Sequence, residues 1–176
     1  MYGTLVGLKT RLRVSGSGDD VWLTEILGEA SETVDELSGH SWLSGVVTNA
    51  YGQSDVLLDE DRREIFFVTP LTSVTSVTNG DGVVMGVGSY VLLPRNGVNK
   101  QSILLKVASG YCWNFGDGDG EIQIAATWVV PKFVIEATYV IAQALYRRGE
   151  DGAVSLAQAL GDARELLAHP YSVGAV

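Results

Sequence analysis

The sequence is poor in the residues that most often build disulfides and metal sites. Its 176 residues include one cysteine, Cys112, and two histidines, His40 and His169. A single cysteine excludes an intramolecular disulfide, and these three side chains are too few for an all-Cys/His tetrahedral zinc site. We therefore expect a protein suited to a reducing compartment, and we predict neither a metal nor another cofactor.

Long apolar runs and an excess of basic residues are also absent. Pro131, Lys132 and Glu136 interrupt the longest apolar candidate, so no segment approaches the roughly 20 residues that cross a bilayer. Charges from Lys9 to Arg13 leave no room for a secretory apolar core. Twelve Lys and Arg against 21 Asp and Glu give a net charge of −9, which argues against a surface that clamps nucleic acid throughout. We expect a soluble protein, made in the cytoplasm, with no membrane partner.

Helical periodicity marks both ends of the chain. Thr4 caps a short amphipathic helix, and Asp19 and Asp20 open a longer one that Gly39 closes. A third helix begins at Val130-Pro131, with proline at its first position. A weaker fourth helix ends near residue 169.

The middle of the chain has β-branched and aromatic runs separated by Gly, Asn and Asp clusters. The candidate strands are Val46 to Tyr51, Asp55 to Leu58, Glu64 to Val68, Ser73 to Thr78, Val83 to Val87, Tyr90 to Leu93, Ser102 to Val107 and Glu121 to Trp128. Together with the helices they predict an α+β fold, in which an N-terminal helix pair and C-terminal helices flank a β-rich insertion. We predict one domain over 1–176, helical at 1–42, β-rich at 43–129, helical at 130–168, and ending in a tail at 169–176.

Motifs for catalysis or ligand binding are weak. No Gly-x4-Gly-Lys-Ser/Thr phosphate loop occurs, and the acidic loop around Asp117 and Asp119 fails the calcium-loop pattern at both ends. Neither histidine lies in a recognisable catalytic context, and Cys112 reads as a small packed hydrophobe. We predict that the chain is not an enzyme, and we keep a small ligand-binding or hydrolytic domain as the alternative from another class.

Two helical patterns point to contacts between copies. The third helix is apolar nearly all round and needs cover on more than one side, which partner subunits would supply. Its interface candidates are Phe133, Ile141, Leu145, Arg147 and Arg148.

On the second helix, four glutamates share one face, an arrangement that costs a few tenths of a kcal/mol per adjacent pair. This acidic stripe is Glu25, Glu29, Glu32 and Glu36. It is a solvated face, it lines a channel that must not grip DNA, or it meets Lys9, Arg11 and Arg13 of a neighbouring copy.

Five sets of segments form a recognisable pattern along the chain. They are Tyr2 to Leu12 with Asp19 to Leu23, Leu37 to His40, Pro70 to Val77 with Gly82, Tyr90 to Gly97, and Val130-Pro131 with Ala137, Ala142 and Leu145 to Arg148. Together these segments resemble the head-tail adaptor (connector) proteins of tailed bacteriophages. Leu37 and His40 depart from the family's tyrosine and arginine. The segments follow the family's order over almost the whole chain.

The resemblance implies a structural virion protein at the neck, between head and tail. About twelve copies would form a ring beneath the portal protein, with a stopper or another tail-proximal neck protein on the far side. Genomic DNA would pass through the lumen without its sequence being read. The family commonly grips the portal with its C-terminal segment, so the portal-contact candidates are Tyr171, Ser172, Val173 and Val176. Another neck or tail-completion protein is the alternative within this class.

Overall fold

The structure is a computed structural model that describes residues 1–116, 120–148 and 155–168. It confirms the predicted α+β class. The chain forms two compact units, which we call the helical unit (Met1–Trp42 with Pro131–Val176) and the sheet unit (Leu43–Val130). In the described ranges, no helix is both long and apolar enough to span a membrane.

The helical unit contains four described helices. They are α1 (Leu5–Leu12), α2 (Asp20–Ser38), α3 (Lys132–Tyr146) and α4 (Leu156–Ala168). The N-terminus of α1 and the C-terminus of α2 follow the capping chemistry of the sequence, whereas Asp19 before α2 makes no side-chain capping hydrogen bond. The Thr4 side chain accepts a hydrogen bond from the Gly7 N–H, and Gly39 closes α2 in the left-handed conformation at φ 63°. Pro131 lies one residue before α3 rather than at its first position.

Helix α3 is covered by helices of its own chain. It packs against α1, α2 and α4, and its buried side chains are Val134, Ala137, Thr138, Tyr139, Ile141, Ala142 and Ala144. The expectation that partner subunits must supply this cover is therefore unnecessary. The segment with the weak C-terminal periodicity forms a regular helix, α4. Its buried residues Ala159 and Ala163 are small, so the backbone of α4 can lie close to the neighbouring helices α2 and α3.

The sheet unit contains one antiparallel sheet with seven strands among the described residues. They are β1 (Gly45–Tyr51), β2 (Leu57–Leu58), β3 (Glu64–Thr78), β4 (Val84–Met85), β5 (Tyr90–Leu93), β6 (Lys100–Leu105) and β7 (Ile122–Trp128). The main path runs β1-β7-β3-β6-β5, while β2 and β4 pair with β3. Short 3-10 turns follow β4 at Val87–Ser89 and β6 at Val107–Ser109.

Strand β3 is the main departure from the predicted sheet. The sequence predicts two strands separated by Pro70, whereas the structure has one strand of 15 residues that continues through it. Pro70 lacks an N–H, but its carbonyl accepts a hydrogen bond from the Val129 N–H at 2.8 Å. Register shifts on either side of Leu71 absorb the irregularity. One long strand therefore pairs with β6 along its first half and with β7 along its second.

The core of the sheet unit is aromatic and aliphatic. Trp113 is fully buried, and its indole N–H donates to the Arg63 carbonyl at 3.0 Å. Phe67 and Trp128 meet edge to face, with ring centroids 5.5 Å apart. Cys112 was predicted to be packed, but it is exposed because the adjacent Trp113 takes the inward position.

Candidate functional site on the helical unit

The N-terminal segment is tied to α2 by Tyr2. Its backbone N–H donates to Ser31 Oγ at 2.9 Å, and its hydroxyl donates to Asp35 Oδ1 at 2.5 Å. The same hydroxyl accepts the Trp42 N–H at 2.9 Å. Burial, with the Asp35 carboxylate second, raises the pKa of the Tyr2 hydroxyl. The segment before α1 is thereby held as part of the bundle.

Tyr139 of α3 fixes the start of α1. Its hydroxyl oxygen accepts the Thr4 N–H at 2.9 Å, and its ring lies against Gly3 and Gly7. A Cβ at Gly3 would lie 2.9 Å from two ring carbons of Tyr139, and Gly3 also has a positive φ of 84°. Both glycines therefore serve the close approach of α1 to α3.

The basic residues of α1 are mostly engaged within the chain. Lys9 pairs with Asp20 at 2.5 Å, and Arg11 pairs with Glu136 while its guanidinium carbon lies 4.6 Å from the centre of the Tyr139 ring. Arg13, the C-cap of α1 at φ 58°, is exposed and forms no ion pair with any residue in the described ranges. Lys9, Arg11 and Arg13 are the three basic residues predicted to meet a neighbour's acidic stripe. Of these, Arg13 has the charged group most available to a partner.

The acidic stripe lies on the outward face of α2. All four glutamates are exposed, while the opposite face buries Leu23, Ile26, Leu27, Ala30, Ser31 and Val34. Neither of the two ion pairs found in the described part of the chain includes a stripe glutamate. The stripe is thus placed for solvent, a lumen or a partner, as its periodicity indicates.

The interface candidates of α3 separate by burial. Ile141 is 0% exposed, so its side chain offers no surface to a second copy and belongs to the core of its own bundle. Phe133 and Leu145 are partly buried, and the Phe133 ring meets Trp42 edge to face at 5.5 Å. Arg147 and Arg148 at the end of the helix are exposed.

Trp22 is a surface residue that the sequence analysis did not single out. It is 48% exposed, whereas Trp42, Trp113 and Trp128 are each at most 8% exposed. Its ring rests on Tyr146 with centroids 5.1 Å apart, and the neighbouring Val21 is exposed. The signal was present in the helical pattern, because Trp22 falls outside the apolar series that begins at Leu23.

Two concave surfaces are formed by described residues of the helical unit. The larger is an open hollow of about 450 Å³ along α1 and the residues that follow it. Its lining residues are Leu5, Val6, Lys9, Thr10, Arg13, Val14, Ser15 and Asp20. The smaller, about 230 Å³, lies between α3 and α4 beside Gln143, Arg147 and Asp162. We call the larger one the α1 hollow.

Side chains suited to metal binding are dispersed in the described ranges. No cluster of three or more His, Cys, Asp or Glu side chains suited to a metal ion occurs there. His40 packs against Trp42, with ring centroids 4.9 Å apart, and burial lowers the pKa of its imidazole. The acidic-loop residues Asp117 and Asp119, His169 and the four portal-contact candidates lie outside the described residues.

Comparison with solved structures identifies two chains from phage-like particles. One belongs to the virion of a native gene transfer agent; it is 18% identical, covers 93% of this chain and 89% of its own, and has a TM-score of 0.51. The other belongs to the neck of an empty gene transfer agent particle computed with C6 symmetry; it is 16% identical, with the same coverage and a TM-score of 0.49. No protein-family model and no curated protein matches the chain. At these identities the likeness concerns the fold.

Proposed function

We propose that this chain is a structural virion protein of a tailed phage or phage-like particle, a head-tail adaptor at the neck. Copies form a ring beneath the portal, extend its DNA channel, and join capsid to tail through a stopper or tail-proximal neck protein. The chain performs no catalysis in this role.

The observation that carries the proposal is the likeness to the virion chain, which extends over 93% of this chain and 89% of that one. Correspondence at that coverage includes both the helical unit and the sheet unit. The sequence resemblance to head-tail adaptors then favours the neck over other parts of a virion. The segments that carry this resemblance extend from the capped start of α1 to Pro131, the residue before α3, and beyond it along that helix.

The surface of the helical unit suits a channel component. The exposed acidic stripe would repel phosphates, so that DNA could slide past without being gripped. The uncharged side chains of Tyr171 to Val176 suit an apolar contact with the portal. Arg147 and Arg148, exposed at the end of α3, remain candidates for contacts between copies.

Electron microscopy of purified particles tests this function. Particles from the source would be labelled with a gold-tagged antibody to this chain, and particles labelled with a pre-absorbed antibody would serve as the control. We expect gold at a single vertex, between head and tail. Absence of label from all particles, with antibody binding to disrupted particles demonstrated, would contradict the proposal and favour a soluble ligand-binding or hydrolytic protein.

A further inference from the structure

We infer that Trp22 of one copy docks into the α1 hollow of a second copy, so that the helical units associate head to tail. This inference deepens the proposed function and rests on it for the ring. The contact involves two different surfaces of the helical unit.

The first surface is an exposed aromatic knob. Trp22 and Val21 stand on the outward face of α2, exposed by 48% and 75%. Tyr146 supports the Trp22 ring from one side, so the side chain is held in place before any partner arrives. Tryptophan is enriched among the residues that dominate protein–protein binding energies, and a pre-positioned ring loses little entropy when it binds.

The second surface is the α1 hollow, which has apolar walls and one available cation. Leu5, Val6 and Val14 supply the apolar lining, and Val6 is 74% exposed. Lys9 and Asp20 neutralise each other across it. Arg13 therefore leaves the lining with a net positive charge.

The two surfaces lie on opposite sides of α2. Asp20 lines the hollow, and Trp22 follows it by two residues. At 3.6 residues per turn, two residues correspond to about 200° around the helix axis. Trp22 therefore points away from the hollow of its own chain. Contacts between different patches are heterologous and propagate to a ring or an open chain, unlike the closed contact of a two-fold dimer.

Charge complementarity indicates a second copy as the occupant. Glu25 lies one turn beyond Trp22 on the same outward face, and it is exposed with no ion pair in the described part of the chain. When Trp22 of one copy enters the α1 hollow of another, it therefore places the Glu25 carboxylate near Arg13 of that hollow. The remaining stripe glutamates extend the same negative face along α2. Opposite charges beside an apolar anchor select the partner and its orientation.

Analytical ultracentrifugation of the full chain tests the contact, in a Cys112→Ser background because Cys112 is exposed. Trp22→Ala removes the knob, and Val6→Glu places a carboxylate in the hollow. Val46→Glu is the matched control, since Val46 is 78% exposed and lies on β1 of the sheet unit. Circular dichroism establishes that each variant is folded. If Trp22→Ala does not fold, Val21→Glu replaces it.

We expect the parent and the Val46→Glu control to form oligomers larger than dimers as the protein concentration rises to about 1 mM, a range that detects dissociation constants up to about 1 mM. Trp22→Ala and Val6→Glu should each remain monomeric. Their mixture should form a heterodimer and nothing larger, because one intact knob meets one intact hollow and both outer ends are blocked. This pattern is specific to a head-to-tail contact.

A charge exchange tests the orientation. Arg13→Glu should weaken association about tenfold, and the double variant Arg13→Glu with Glu25→Arg should recover most of it. Four results would each overturn the inference: a parent chain that stays monomeric, variants that associate as the parent does, a mixture without heterodimer, or a double variant that associates more weakly than the single one.

The two proposals can fail separately. If the chains do not associate but gold labels the neck, the inferred contact is wrong and the proposed function stands. If the heterodimer forms but the neck carries no label, the proposed function alone is refuted.

Discussion

The hydroxyl of Tyr139 on α3 accepts the backbone N–H of Thr4 at 2.9 Å, and Thr4 is the residue that caps α1. One side chain therefore fixes where a helix more than 130 positions earlier in the sequence begins. The ring reaches this position because Gly3 and Gly7 have no side chains to obstruct it.

Replacing Gly7 with alanine should destabilise the helical unit by about 2 kcal/mol, within the range for overpacked sites. Its Cβ would lie 2.8 Å from Cζ of Tyr139, closer than real carbon contacts allow. Gly28→Ala is the matched control, since Gly28 lies within α2 with no atom in reach of a Cβ. It should stabilise by about 0.5 to 1 kcal/mol. Urea unfolding of both variants measures the difference, and equal effects would refute the steric role of Tyr139.

Ile141 should behave as a core residue rather than an interface residue. Ile141→Ala should lower the free energy of unfolding by about 2 to 5 kcal/mol, and Ile141→Glu should prevent folding, because the side chain is fully buried. Val6→Ala, at an exposed position of α1, should change it by at most about 0.5 kcal/mol. Denaturant titrations give these values. A folded, stable Ile141→Glu protein would contradict the packing described for α3.

Alkaline pH should destabilise the sheet unit through Tyr51. Burial raises the pKa of its hydroxyl to about 12 from the ordinary 10.0. The native state thus retains a proton that the unfolded state releases, so the stability is present below pH 10 and is lost as the pH rises through 12. Tyr51→Phe should reduce the fall in stability between pH 10 and 12 by about 2 kcal/mol at most. Thermal unfolding at several alkaline pH values measures it, and an unchanged slope in the variant would refute the assignment.

Deleting Tyr171 to Val176 should leave the fold intact and abolish docking to the portal. The side chains of the segment are uncharged, and it follows the last residue of α4 by a few positions in the sequence. Melting temperature checks the fold, and co-purification with portal protein checks the docking. Val173→Asp in the full-length chain is a milder variant that should weaken docking. Portal binding that survives the deletion would locate the contact elsewhere.

The helical termini were predictable because the signals are local. Thr4 before an apolar turn caps α1, and Gly39 closes α2 in its left-handed conformation, so both act within a few residues of chain. Asp19 occupies the N-cap position of α2 as predicted, although its side chain makes no capping hydrogen bond. The outward position of the acidic stripe likewise follows from helical periodicity alone. The alternation in β7 predicted its strand for the same reason.

The continuity of β3 could not be predicted from local patterns. Pro70 is a strand breaker in isolation, and only the pairing of its carbonyl with Val129, with bulges around Leu71, lets the strand continue. The prediction that Cys112 is packed was wrong because the adjacent Trp113 takes the inward position. Its indole N–H donates there to the carbonyl of Arg63, a residue far away in sequence. Both outcomes depend on partners that local periodicity does not contain.

By itself, the sequence determined the α+β class, most helix boundaries, and a net-acidic chain with a glutamate face. The tertiary structure decided which side chains remain available for partners. It paired Lys9 with Asp20 and Arg11 with Glu136, buried Ile141, and left Trp22 and Arg13 exposed. The physical reason is that capping and periodicity act within a turn or a strand. Whether a side chain remains available to a partner depends instead on which helix, distant in sequence, packs beside it.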